Sequence, residues 1–422
     1  MDAEPIDVVL ITIGSAGDLF PFLRIGTVLR DLGHRVSFVA PMLHQPYVEQ
    51  AGLAFHGVDI DTAVLDDPDL WHAIRGFRVV WRATRPAMAQ VQALVAPLLG
   101  VRSLVIAHPL ALPEADLIRA AHPGVTVVAG ILAPQNLPTI HNPLMVGPHR
   151  MPAWVPLRAR KLMWRSVDRL VLNPVALPGI NAARTAQGLA PVTGLLQHLA
   201  SAPDLTLLLF PGWFGPPQPD WPQPLLQADF ALYDPHPETA PLAPALQAFL
   251  ASGPAPLVFT HGTGNRQAGA YFAAARDATV RLNRRAIFLT PHAEQVPPDL
   301  PPDILWQDYV PLRSLLPYAA ALMHHGGIGT TAEALRAGTP QLIIPLAHDQ
   351  FDNAERVKAL GVGARLDATR VRADRLAAAL AQLLETPGLE ARCSQVASRF
   401  DHGVAFEQAC TALLHWVGSG KS

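Results

Sequence analysis

Short apolar runs alternate along the chain with stretches of helical apolar spacing, and turn residues separate them. Asp7-Val-Val-Leu-Ile-Thr-Ile13 opens the series as a near-continuous apolar strand, the pattern of a parallel sheet covered on both faces. Gly14-Ser-Ala-Gly-Asp18 follows as a tight turn. A helix is predicted over 19–32, ended by Gly33, and the next strand over 35–40. Runs 104–107 and 125–131 read as further buried strands. The same grammar restarts in the second half. A strand over 256–260 feeds the loop His261-Gly-Thr-Gly-Asn265, a helix covers 271–282, and strands follow over 286–290, 319–324 and 341–345. Strand–helix alternation predicts an α/β chain of two Rossmann-like domains facing a cleft, with ligands at the strand C-termini.

Between the halves runs Pro211-Gly-Trp-Phe-Gly-Pro-Pro-Gln-Pro-Asp-Trp-Pro-Gln-Pro224. Proline at this density keeps out helix and sheet interior and stiffens an extended connector. The predicted division is therefore a first domain over 1–212, a linker over 213–224, a second domain over 225–400, and a C-terminal helix over 401–422 able to pack back on the first domain. The alternative is a long ordered surface loop inside one domain.

A length of 422 residues accommodates these domains, and 50% hydrophobic with 16% charged residues excludes a disordered chain. Lys and Arg number 32 against 34 Asp and Glu, a net charge of −2 without the basic excess of a nucleic-acid binder, so no nucleic-acid partner is expected. Cys393 and Cys410 supply neither a disulfide framework nor a zinc ligand set, and read as buried free thiols. Residues 1–7 carry three acids and no base, unlike a secretory leader, and the run 8–13 is too short to span a bilayer. The stretch 239–265 lacks charge but is broken by Pro241, Pro244, Gly253, Pro254 and Pro256. A soluble, cytoplasmic protein is expected, with peripheral membrane contact left open.

Candidate chemistry concentrates in His324-His-Gly-Gly-Ile-Gly-Thr-Thr-Ala-Glu333, which follows a strand and opens a helix near Thr330. Exposed N–H groups of a glycine loop and the positive end of a helix suit a diphosphate. His325 can add a hydrogen bond there and Thr330 a hydroxyl, with Gly326, Gly327 and Gly329 shaping the loop. Glu333, one turn on, can accept from sugar hydroxyls. The same residues also fit a tight turn with Thr330…Glu333 as a capping box. Asp349-Gln350 follows a buried strand, and a carboxylate beside an amide suits vicinal hydroxyls, while Asp349 also fits a helix N-cap.

The pattern His325-x-Gly327-x-x-Thr330-x-x-Glu333, then Asp349-Gln350, resembles the donor signature of GT-B fold, family 1 nucleotide-sugar glycosyltransferases, and the resemblance covers nearly the whole chain. Gly14-Ser15-Ala-Gly-Asp18-x-x-Pro21 resembles the acceptor-side loop of bacterial members, and Tyr309-Val310-Pro-Leu-Arg-Ser-Leu-Leu316 the segment bordering the nucleotide base. The resemblance implies that Tyr309 stacks on the base; Leu312 replaces the usual Gln there, weakening any ribose contact carried over. It also implies a donor site on the second domain, with Thr263 presenting a hydroxyl to the diphosphate, and an acceptor site on the first. Segments 13–18, 214–224 and 347–356 narrow the likeness to the rhamnosyltransferases of rhamnolipid synthesis. That implies transfer of L-rhamnose from dTDP-L-rhamnose, a donor substrate used without a cofactor, to a 3-(3-hydroxyalkanoyloxy)alkanoate. His261-Gly-Thr-Gly-Asn265 departs from the Gln-Gly-Ser-Thr version of those enzymes.

Inverting transfer needs a base at the acceptor hydroxyl and N–H donors or positive charge at the diphosphate. Many members place a His after the first strand; residues 14–21 hold none, which leaves Asp18, also readable as a helix N-cap. His108, His141 and His149 are alternative bases. Trp71, Phe77, Trp81 and Met88, interleaved with Arg75, Arg78, Arg82 and Arg85, would give a lipid acceptor an apolar groove and a cation, or would form an ordinary amphipathic helix. Residues 151–172, with Trp154, Trp164 and five basic residues, fit an interfacial membrane helix or plain packing. Association with the acceptor-synthesising enzyme is a further possible partnership. The other readings are transfer of another deoxysugar or glucose to a polyketide, sterol or glycolipid, an NDP-sugar 2-epimerase, and a non-catalytic nucleotide-sugar or lipid sensor.

Overall fold

A computed structural model describes residues 5–72, 75–141, 145–236 and 242–419. The acidic start at 1–4, part of the proline-broken run at 239–241 and the last three positions of the expected terminal helix lie outside the described residues. Two compact units emerge, Met1–Pro235 with Gly403–Ser422, and His236–His402.

In the first unit the strands are β1 (Asp7–Ile11), β2 (Arg35–Pro41), β3 (Ala54–Val58), β4 (Ser103–Ala107), β5 (Val125–Ile131), a small hairpin of β6 (Met145–Val146) and β7 (His149–Arg150), then β8 (Leu205–Leu208) and β9 (Leu225–Gln227). Apart from the hairpin they form one sheet in the order β3-β2-β1-β4-β5-β8-β9, parallel throughout. In the second unit β10 (Leu257–Thr260), β11 (Ala286–Leu289), β12 (Ile304–Gln307), β13 (Ala321–His324), β14 (Gln341–Ile343) and β15 (Gly363–Arg365) form a parallel sheet in the order β12-β11-β10-β13-β14-β15. Both are the doubly wound arrangement expected from the alternating pattern.

The central strands are apolar on both faces because helices cover both. All five residues of β4 and all seven of β5 are buried, and each large aliphatic side chain so buried stabilises the fold by about 1.5–3 kcal/mol. The helix Val404–Gly418 belongs to the first unit: Phe406 is buried beneath the Arg24 guanidinium at 5.7 Å, and Arg24 pairs with Glu407 at 2.9 Å.

The proline-rich stretch is not where the units divide. Residues 213–224 stay within the first unit, and the division falls between Pro235 and His236. Aromatic packing holds the stretch in place. Phe214 and Trp221 are buried, Trp221 lies edge-on to Phe210 at 6.2 Å, and Phe214 lies 5.2 Å from Phe230. Asp220 accepts from Thr139 Oγ1 at 2.6 Å and from the Ile140 N–H at 2.8 Å. Prolines exclude regular structure here, but the rings between them supply enough apolar surface to anchor an ordered loop.

Candidate active site

In each sheet the chain winds to one side from one central strand and to the other side from its neighbour. That leaves a crevice at their C-terminal ends, between β1 and β4 in the first unit and between β10 and β13 in the second. The candidate residues gather at these two places.

After β1, Ser15 caps the helix Ala16–Asp31, and Asp18 occupies its third position. Asp18 is therefore the partner in a capping box and not the N-cap itself. Its Oδ2 accepts from the Ser15 N–H at 2.8 Å and from Ser15 Oγ at 3.1 Å. Oδ1 faces His108 Nε2, just past β4, at 3.6 Å. His108 Nδ1 accepts from the Leu110 N–H at 3.3 Å, so Nε2 carries the ring proton and the imidazole has no lone pair to offer a substrate. Burial lowers the His108 pKa, against an opposing pull from Asp18. On the other side of the loop, His44 Nε2 donates to the Gly14 carbonyl at 2.9 Å. Ser15 Oγ, expected at the acceptor, is engaged in the cap. His141 and His149, the other alternative bases, are exposed, on a loop and on β7.

The expected acceptor groove is only partly a surface. Trp81 and Met88 lie on the inward face of the helix Gly76–Val95; Trp81 packs on Ala176, Ile180 and Leu195, so these two are interior residues. Trp71 and Phe77 are half-buried and Arg82 is exposed. Arg85 is ion-paired with the buried Glu114, and Arg75 pairs with Asp69 at 2.8 Å.

In the second unit β13 ends at His324, and the helix Ile328–Ala337 starts with Gly327 at its N-cap and no side chain capping it. The first free N–H groups, at Ile328, Gly329 and Thr330, are thus left for a ligand. Thr330 sits inside the first turn, so the Thr330…Glu333 capping box does not form. A Cβ at Gly329 would meet nothing within 4 Å, which leaves open space over the helix end. The His325 ring is held between two glycines. Cβ atoms placed at Gly262 and Gly327 would fall 2.9 Å from its Cε1 and 2.7 Å from its Nε2. Gly326 has φ of 95°, and a Cβ there would lie 2.7 Å from Ile343 Cγ2. Glu333 forms an ion pair with Arg336 at 2.5 Å.

Thr263, in the loop after β10, is exposed, and its carbonyl accepts from His292 Nε2 at 3.0 Å. Asp349 occupies the N-cap position of Gln350–Ala359 without a capping hydrogen bond; its Oδ2 accepts from Asn353 Nδ2 at 2.7 Å. Gln350 is buried, and its Oε1 accepts the N–H groups of Leu346 and Ala347 at 2.8 and 3.1 Å. Tyr309 is 44% exposed, with His236 stacked on its ring at 5.1 Å. The Val310 side chain lies in the core with Leu315 and Leu322, so only its peptide group can meet a ligand.

One residue at this crevice escapes sequence reading. His261 directly follows β10, is buried, and lies flat on the Tyr271 ring at 4.3 Å, with its ring centre 6.4 Å from that of His325. Its position immediately after a central strand was the available signal. Burial pushes His261 down to about 3, aided by His325, and His325 down to about 4, aided by His348.

The glycosyltransferase family 28 N-terminal domain matches residues 8–107, and the erythromycin biosynthesis protein CIII-like C-terminal domain matches residues 277–401. The O-mycaminosyltylonolide 6-deoxyallosyltransferase of Streptomyces fradiae is 30% identical over 97% of this chain and 97% of its own. The vancomycin aglycone glucosyltransferase of Amycolatopsis orientalis is 31% identical over 92% and 93%. The fold is also that of the kitacinnamycin glycosyltransferase, with a TM-score of 0.75 at 19% identity over 98% of this chain and 100% of that one. A spinosyn rhamnosyltransferase bound to thymidine diphosphate gives a TM-score of 0.64 at 20% identity over 97% and 100%. With both units doubly wound and relatives matched nearly end to end, the chain belongs to the family 1 glycosyltransferases of the GT-B fold.

Proposed function

We propose that the chain transfers L-rhamnose from dTDP-L-rhamnose to a hydroxyl of a 3-(3-hydroxyalkanoyloxy)alkanoate, with inversion, giving a mono-rhamnolipid. The observation that carries the donor site is the uncapped N-terminus of Ile328–Ala337 beside His325, at the crevice of the second sheet. The sugar and lipid assignments are supported by the likeness of segments 13–18, 214–224 and 347–356 to rhamnolipid-forming enzymes. In this reading Asp18 Oδ1 takes the proton of the acceptor hydroxyl as its oxygen attacks C1. The bond from C1 to the diphosphate oxygen breaks, and its electron pair stays on the diphosphate, stabilised by the free N–H groups and His325. Asp18 suits this better than His108, whose only acceptor nitrogen is taken by Leu110. Tyr309 would stack on the base, Thr263 and Thr330 would meet the diphosphate, and Glu333, Asp349 and Gln350 would face sugar hydroxyls.

A second reading, transfer of another deoxysugar or of glucose to an antibiotic aglycone, is favoured by the names of the relatives. Peripheral membrane contact is supported by the helix Leu157–Val167, where Arg158, Lys161 and Arg165 are exposed beside Leu162, which is 65% exposed. Mass spectrometry of products formed from dTDP-rhamnose, dTDP-glucose and UDP-glucose, with the lipid and with a macrolide aglycone, separates the two readings. A rhamnosylated lipid from dTDP-rhamnose, reduced about 10²–10⁴-fold by Asp18→Asn with dTDP binding retained, is expected. A glycosylated aglycone with no lipid product would sink the rhamnolipid reading, and donor turnover without acceptor would indicate an epimerase.

A further inference from the structure

Three imidazoles crowd the β10–β13 crevice, and they differ in how their nitrogens are satisfied. His324 is fully engaged. Its Nε2 donates to Gln341 Oε1 at 3.0 Å, and its Nδ1 accepts from the Gly326 N–H at 3.1 Å. His261 and His325 are not: the Nδ1 of each is sealed from solvent without a hydrogen-bond partner. Tyr271 lies flat against the His261 ring and donates its hydroxyl proton to the Met323 carbonyl at 3.1 Å, so it meets the imidazole face to face and not at a nitrogen. Buried polar atoms left without partners are rare, since each forfeits the hydrogen bonds it made in water. Neither ring makes a hydrogen bond at all, and the nitrogen left unsealed in each is Nε2, so two adjacent rings beside an uncapped helix end mark a place where a ligand can bond to Nε2.

The groups facing the pair define the ligand's charge. From the helix Gly269–Arg281 comes Tyr271; from the end of β13 comes His324; and from the loop after β14 comes His348, next to Asp349, whose Oδ2 is paired with Asn353. The electrostatic pressure on each ring comes from another imidazole, His325 on His261 and His348 on His325, and like charge disfavours a proton on either. An entering anion reverses that balance.

Building on the donor site proposed above, we propose that His261 is a second imidazole of the diphosphate site, and that each nucleoside diphosphate bound draws a proton from solvent onto the His261–His325 pair. The empty site keeps both rings neutral, so a neutral imidazole and a solvated proton become an imidazolium paired with phosphoryl oxygens. The released nucleoside diphosphate carries more negative charge than the sugar-bound donor, because its terminal phosphate ionises a second time near pH ~6. Proton uptake therefore favours the leaving diphosphate over the intact donor, which is the direction the reaction needs.

Calorimetric titration of the whole protein with dTDP at pH 7.5, in phosphate and in Tris, tests this, because the two buffers release their protons with different heats. The expected result is an enthalpy that depends on buffer, with about half a proton or more taken up per dTDP bound. His261→Phe keeps a ring over Tyr271. It should bind dTDP about tenfold more weakly and lose most of the uptake, with circular dichroism unchanged. Binding with a buffer-independent enthalpy overturns the proposal while leaving the donor site intact. Unchanged uptake in His261→Phe, with His325→Phe abolishing it, removes His261 from the site. Failure of the native protein to bind dTDP overturns the donor-site reading itself.

Discussion

At Gly14 the backbone φ is 152°, and a Cβ built there would fall 2.2 Å from Asp18 Oδ2. A side chain at that position would therefore displace the carboxylate that both closes the helix cap and faces His108. Gly14→Ala is expected to cut turnover by about tenfold or more while leaving dTDP affinity unchanged, since the affected residues lie in the first unit. Initial rates beside calorimetric binding decide it, and an unchanged rate would mean that the carboxylate position does not matter. The sequence points to a helix start here but with Asp18 as the N-cap; the structure moves the cap to Ser15 and puts Asp18 at the third position, a shift of three residues between two short polar side chains that can each fill the cap. The proximity of His108 was not legible, because it depends on β1 and β4 pairing across the whole of the intervening β2–β3 segment.

Among the elements, the central strands are the ones the apolar pattern gives away. The edge strands β3, β9, β12 and β15 escape it; β3, β9 and β15 are covered on fewer sides and hold half-buried or exposed residues over most of their length. Strand β8 is fully buried yet also escapes, since its short run merges into the proline-rich stretch. Trp81 and Met88 show the reverse error: an aromatic and basic helix suggests a groove, but only packing reveals which face turns inward. The helix Leu157–Val167 turns outward, and Trp154 and Leu170 flank it at 81% and 73% exposure. Each exposed cation near an anionic bilayer contributes about 1 kcal/mol. Co-sedimentation with vesicles rich in phosphatidylglycerol, weakening with salt and abolished by R158E with R165E, is expected. Equal binding to phosphatidylcholine would leave the cations no part in it.

At the scale of the molecule, three histidines at the β10–β13 crevice, His261, His324 and His325, make stability depend on acidity. In the unfolded chain they protonate near 6.5, whereas in the fold burial lowers His261 and His324 to about 3 and His325 to about 4. Unfolding therefore takes up protons below 6.5, so their full contribution is present above that value and declines as pH falls toward 4 for His325 and toward 3 for His261 and His324. Each should cost about 2 kcal/mol by pH 5. Thermal unfolding followed from pH 7.5 to pH 5 should show a falling transition temperature for the second unit, and a flat profile would mean that these rings are solvated. Cys393 and Cys410 take no part, since burial raises their thiols to about 11 and about 12.

The chain leaves the first unit after Pro235 and re-enters it at Gly403. In order of synthesis every strand of the second sheet precedes Phe406 and Glu407, so the partners of Arg24 are made only after that sheet's strands, and the first unit is the later of the two to have all its parts. A cut at either crossing alone would leave the two units joined through the other, and the helix Val404–Gly418 acts as a clasp that is fastened last.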